Sequence, residues 1–147
     1  MGGTVTLGQS VPLILFSFKR GKKFGLISGI LCGVIKIMLS LKVIPVTNFL
    51  DYILTFMLDY ILPYILAGIS CMFVEFLKNK KHAIIVSCII AHLLKFCCFY
   101  TSAVIVWSKY VPYTVNVIGY CFWYNFLYMF PETIIAVGIT NSLLRFF

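Results

Sequence analysis

Acidic side chains are scarce in this sequence: Asp and Glu together number four in 147 residues, against twelve Lys and Arg. Charge of either sign makes up 11% of the chain, where a soluble domain carries roughly a quarter. So few charged groups cannot solvate the outside of a chain that is 62% hydrophobic, which excludes a soluble enzyme, a disordered tail and a disulfide scaffold. Other absences narrow the field further. There is no Gly-x-x-x-x-Gly-Lys-[Ser/Thr] loop to hold nucleotide phosphates and no nucleophile and base pairing to suggest covalent chemistry. Cys32, Cys71, Cys88, Cys97, Cys98 and Cys121 form no C-x-x-C pair and have no clustered His that would complete a zinc site; they read as small core hydrophobes. The net charge of +8 does not point to nucleic acid, because the basic residues fall in short clusters between apolar runs and form no continuous face. The reading calls for no catalysis, no metal and no cofactor.

What is present is a series of apolar runs, which predicts one all-α domain over residues 1–147, a polytopic bundle of membrane helices. The first run, Gly8 to Phe18, is well short of the ~20 residues that span a bilayer and is read as a half-length helix or the tail of a re-entrant loop. The second, Phe24 to Leu41, carries Gly25, Gly29 and Gly33 on a four-residue step, the small-xxx-small pattern that lets helix backbones approach closely in lipid. The third runs from Phe49 to Leu77, the fourth from Ala83 to Trp107, and the fifth from the Tyr110-Val111-Pro112-Tyr113 break to Phe147, with Pro131 absorbed as a kink. Lys and Arg are retained in cytoplasmic loops, and Lys19, Arg20, Lys22, Lys23, Lys78, Lys80, Lys81 and Arg145 stand at one set of loop ends, against Lys42 and Lys109 at the other. The C-terminus is therefore expected in the cytoplasm and residues 1–7 outside, which leads to the expectation that a preceding helix is missing from this chain.

Polar residues at membrane depth are functional candidates, and an ionisable one costs roughly 2.5–3.5 kcal/mol on insertion scales. Asp59, His92, Lys95, Asn125 and Glu132 qualify. Asp59 is read either as a ligand group or as a structural partner of Lys95; His92 and Lys95, one turn apart, read as a packing pair. Asn125, Tyr128 and Glu132 share one helix face, as an inward polar stripe that serves either binding or interhelical adhesion. Glu75 is expected to pair with Lys78, and Asp51, near a helix end, to be solvated. The aromatics Trp107, Tyr110, Tyr113, Tyr120, Phe122, Trp123 and Tyr124 suit an interfacial belt. A carboxylate beneath a Trp and Tyr lid equally suits a flat organic cation.

Several motifs together carry a resemblance: Gly2-Gly3-Thr4-Val5-Thr6-Leu7-Gly8 with Val11-Pro12, the Lys19-Arg20-Gly21 turn, Asp59-Tyr60 followed by Gly68, Val104-Ile105-Val106-Trp107, and Tyr124-Asn125-Phe126-Leu127-Tyr128-Met129-Phe130-Pro131-Glu132. In this order, and over the whole chain, the sequence resembles the ThiT (YuaJ) family of thiamine-specific S components of energy-coupling factor (ECF) transporters. The resemblance implies a six-helix fold of which the five segments are the second to sixth, set in a bacterial cell membrane. It also implies thiamine or a related vitamin as ligand, and an ECF energising module, a transmembrane coupling subunit with two ATPase subunits, as partner. Residue by residue, Trp107 matches the stacking Trp of the family pocket, Tyr120 and Asn125 a pocket Tyr and Asn, and Asp59-Tyr60 an acidic residue followed by Tyr. Phe99 stands where the family has a pocket His, Ala103 where it has Gly, and Thr4 where some members have a second Trp. On a straight helix Tyr120 and Asn125 point about 140° apart, so Tyr120 is expected in an irregular first turn if both touch one ligand. A thiamine precursor as ligand, a solitary secondary transporter, and a small membrane protein with an assembly role are the competing readings.

Overall fold

The computed structural model describes residues 8–40, 48–75, 77, 79–110 and 116–143. Thr4, Lys42, Lys78, Pro112, Tyr113 and Arg145, all used in the sequence reading, lie outside the described residues, as do the side chains of Lys80 and Tyr110.

Every element among the described residues is helical. Helix α1, Val11–Arg20, is only ten residues long and follows Gly8, whose φ of 71° suits a residue without a Cβ. Pro12 in its first turn supplies a pre-set φ where no N–H is needed, and Lys19 and Arg20 meet the negative end of the helix dipole in the last. The chain turns at Gly21, φ 85°, into α2, Lys22–Ser40. Helix α3, Phe49–Gly68, is followed by the 3-10 turn Ser70–Val74. Helix α4, Lys80–Ile105, starts at Asn79, whose side chain accepts from the backbone N–H groups of Lys81 and His82. The 3-10 turn Trp107–Tyr110 leads on toward α5, Val117–Leu143, which continues through Pro131. Helices α2 to α5 are each long and apolar enough to cross a membrane; α1, at roughly 15 Å, reaches about half-way.

The basic clusters stand at helix ends: Lys19 and Arg20 close α1. Lys22 and Lys23 begin α2, and Lys81 and His82 lie in the first turn of α4. The third apolar run ends as an α-helix at Gly68, nine residues before Leu77. Glu75 pairs with Lys22 at 3.7 Å, so the α1–α2 corner and the α3–α4 connection share one end of the bundle.

Short α1 lies at the centre. Val11, Leu13, Ile14 and Leu15 are buried against Tyr64 and Ala67 of α3, Ile84, Cys88 and Ala91 of α4, and Ala136 of α5. Several hydroxyls on the helices donate one turn back, as Ser17 does to the Ile14 carbonyl and Thr133 to that of Met129, which lowers the cost of carrying those groups in lipid.

Helix α2 docks on α3 through its glycine row, and nearly all its large side chains face away. A Cβ on Gly25 would overlap the Gly68 carbonyl, one on Gly29 would lie 2.5 Å from the Tyr64 carbonyl oxygen, and one on Gly33 2.9 Å from that of Tyr60. These obstacles are backbone and cannot swing aside. Gly29→Leu is therefore expected to lower stability in detergent by roughly 1–3 kcal/mol, the usual cost of overpacking, whereas Ile27→Ala on the outward face is expected to change it little; equal melting shifts would contradict this docking.

Candidate functional site

Pro63 shapes the middle of α3. A proline inside a helix removes one hydrogen bond and presses on the carbonyl four residues earlier, here that of Asp59, and the helix answers by widening into a π-helical turn over Phe56–Ile61. Such turns hold an extra residue and recur at functional sites. The turn sets Asp59 against Trp107: the indole Nε1–H donates to Oδ2 at 3.0 Å. The Ser102 hydroxyl of α4 lies beside the same carboxylate without a well-directed bond. Nothing in the spacing of Asp59, Ser102 and Trp107 along the chain announces that they meet.

On α5, Asn125 is buried. Its amide donates to the Cys121 carbonyl at 2.8 Å and its oxygen accepts from the Tyr128 hydroxyl. Tyr128 lies within electrostatic reach of Asp59 and Glu132 and against the Phe99 ring, with centroids 6.3 Å apart. Four parts of the chain thus converge: α3 supplies a carboxylate, the turn after α4 an indole, α4 a hydroxyl and a phenyl ring, and α5 an amide with a phenol.

Beneath this group, Lys95 of α4 donates to Glu132 of α5 at 2.7 Å and to the Ser10 hydroxyl at 3.4 Å, with its ammonium 5.6 Å from the centroid of Phe99. Both side chains are almost wholly buried, at 6% and 2% exposure. This corrects two expectations. Lys95 does not pair with Asp59, and it does not satisfy His92, whose Nδ1 contacts the Cys88 carbonyl at 2.8 Å while Nε2 has no partner. A further correction concerns a carboxylate near a helix end: Asp51 is buried and gripped by Lys109, not solvated. Glu75 meets Lys22, and Lys78, its expected partner, lies outside the described residues.

The remaining candidates stand apart. Tyr60 packs edge-on against Phe56, centroids 6.4 Å apart, where the α3 backbone meets Gly33 of α2. Tyr120 is 41% exposed and stacks on Tyr124. Its N–H is bonded to the Asn116 carbonyl at 2.8 Å, so the first turn of α5 is regular and Tyr120 and Asn125 face different ways. Ala103 is buried, and its carbonyl faces the Cys121 thiol. The outward aromatics Phe122, Phe126 and Phe130 form a stacked column along α5. A shallow cleft of about 400 Å³ opens at the far end, beside Phe18, Lys22 and Glu75, with none of the candidate residues in it. Among the described residues no three His, Cys, Asp or Glu side chains are grouped to hold a metal ion.

Comparison with known proteins identifies the family. The family described as Thiamine transporter protein (Thia_YuaJ) matches residues 1–146. Thiamine transporter ThiT of Bacillus subtilis (strain 168) is 30% identical over 138 residues, covering 92% of this chain and 71% of the relative. A family match over essentially the whole chain, on a bundle with four membrane-length helices, places this protein in the thiamine transporter family.

Proposed function

We propose that this chain is the substrate-capturing subunit of an ECF-type vitamin uptake system in a bacterial cell membrane, binding thiamine from outside, with its C-terminus in the cytoplasm. The pocket is drawn from Asp59, Trp107 and Asn125; Tyr60 and Tyr120, which the resemblance also implies, stand apart from this group and are not placed in it. The observation that carries the reading is the Asp59–Trp107 pair, a carboxylate and an indole held 3.0 Å apart beside the Asn125–Tyr128 pair. A cationic ring gains from both the carboxylate and the indole face, and an amide is suited to the edge of an aminopyrimidine. With no nucleotide-binding loop in its sequence, the chain draws its energy from a separate coupling subunit and two ATPases.

Thiamine is expected to quench the tryptophan fluorescence of the purified protein. Trp107→Ala and Asn125→Ala, both folded by circular dichroism, should weaken binding by roughly tenfold or more, the scale of a buried cation–π contact or of a hydrogen bond in a closed site. No quenching by thiamine or its analogues would sink the binding-subunit reading and leave an assembly role. In vesicles, ATP-driven uptake should require the energising module; uptake by this chain alone would show a solitary transporter. Phe99 offers no hydrogen bond where the family has His, so competition by thiamine precursors is the measure of ligand identity.

A further inference from the structure

The Asp59–Trp107 bond is not alone in tying α3 to this short turn. Two residues after Trp107, the Lys109 ammonium donates to both carboxylate oxygens of Asp51, each at 2.7 Å, with Asn48 donating to Oδ2 at 3.5 Å. The Asp51 side chain is 5% exposed while that of Lys109 is 51% exposed, so a half-solvated cation closes over a covered anion. On a straight α-helix residues 51 and 59 would point about 80° apart. The π turn between them takes up an additional residue and winds Asp59 back toward the face of Asp51. That is how one helix face grips the Trp107–Tyr110 turn at two heights.

We propose that Asp51 and Lys109 are positioning residues for substrate binding: a clasp that holds the Trp107 indole at Asp59 before ligand arrives. A 3-10 turn of four residues has few hydrogen bonds of its own. The Lys109–Asp51 attachment two residues on adds a second hold on the turn and narrows the orientations open to the indole. Holding a stacking group in place beforehand lowers the ordering cost that binding would otherwise meet. The proposal rests on the reading of Asp59 and Trp107 as substrate-binding, and the test separates the two.

Trp107 and Trp123 are the two tryptophans of the chain, and Trp123 faces outward on α5, so Trp123→Phe makes Trp107 the sole reporter. In that background and without ligand, Lys109→Met and Asp51→Asn should each lower the anisotropy of Trp107 and shift its emission. Lys109→Arg should leave both unchanged. Thiamine affinity should fall roughly three- to fivefold in the two disrupting variants, the range open to a half-solvated ion pair. The double variant should be no worse than either single one. An affinity loss with the ligand-free Trp107 signal unmoved would overturn the proposal, as would a moved signal with affinity intact. Trp107→Ala with undiminished affinity would overturn it by a different route, showing that the clasp is real but holds no binding group.

Discussion

Asp59→Asn is expected to weaken thiamine binding by roughly 10- to 150-fold, while the protein folds and melts much as before. The substitution is isosteric, and an amide oxygen can still accept from the Trp107 indole N–H that the carboxylate accepts at 3.0 Å, so the geometry persists and the charge alone is lost. A hydrogen bond or close contact involving a charged group contributes about 1.5–3 kcal/mol, which corresponds to that range of affinity. The matching control is a neutral aminopyrimidine lacking the thiazolium ring: its weaker binding should hardly change, because it never had a positive charge to place against Asp59. Titration of both ligands by fluorescence or calorimetry checks this. If Asp59→Asn binds thiamine as tightly as the native chain does, the carboxylate has no part in recognition and the cation site must be sought elsewhere.

The second large effect falls on stability. Lys95→Met leaves Glu132 buried and uncompensated, and removing one partner of a buried ion pair costs about 3–5 kcal/mol. Both side chains lie inside the bundle, and the lysine also reaches Ser10 at the start of α1, so the loss would loosen α1, α4 and α5 together. Replacing both charges, in Lys95→Met with Glu132→Leu, should recover much of the loss, because the desolvation penalty disappears along with the attraction. Thermal unfolding in detergent is the measurement. A double variant as unstable as Lys95→Met alone would show that the helices need the Ser10 contact or the shape of the side chains and not the neutralisation of Glu132.

How much of this was readable in advance depends on how far each feature reaches along the chain. Hydropathy marked every helix, since a run of apolar residues is a local property, and the four-residue glycine step identified the face by which α2 docks for the same reason. Polar pairing was read less well. Spacing offers Lys95 to Asp59 or to His92 and leaves Asp51 to solvent, because spacing within one helix says which residues share a face but not which neighbouring helix that face meets. Lys95 with Glu132 depends on the register of α4 against α5, and Asp51 with Lys109 on a turn folding back along α3. Neither registers as a pattern in sequence. The π turn has a sign in Pro63, but a proline within a long apolar run does not by itself say that the helix will widen four residues earlier. A straight helix points Tyr120 and Asn125 apart, and the structure keeps them so: the first turn of α5 is regular, without the irregularity that would let both touch one ligand.

Helix α2 meets its neighbour mainly where side chains are missing, which divides it between two kinds of selection. Along the row of Gly25, Gly29 and Gly33 the limit on change is the distance between two backbones, and substitution there is closed to any residue with a Cβ. On the outward surface, where Ile27, Leu31, Ile35, Met38 and Leu39 stand, the limit is set by what lies beside the helix in the membrane, and one apolar residue can drift into another. The helix can therefore be retuned to a thicker, thinner or more crowded bilayer without disturbing the bundle to which it belongs.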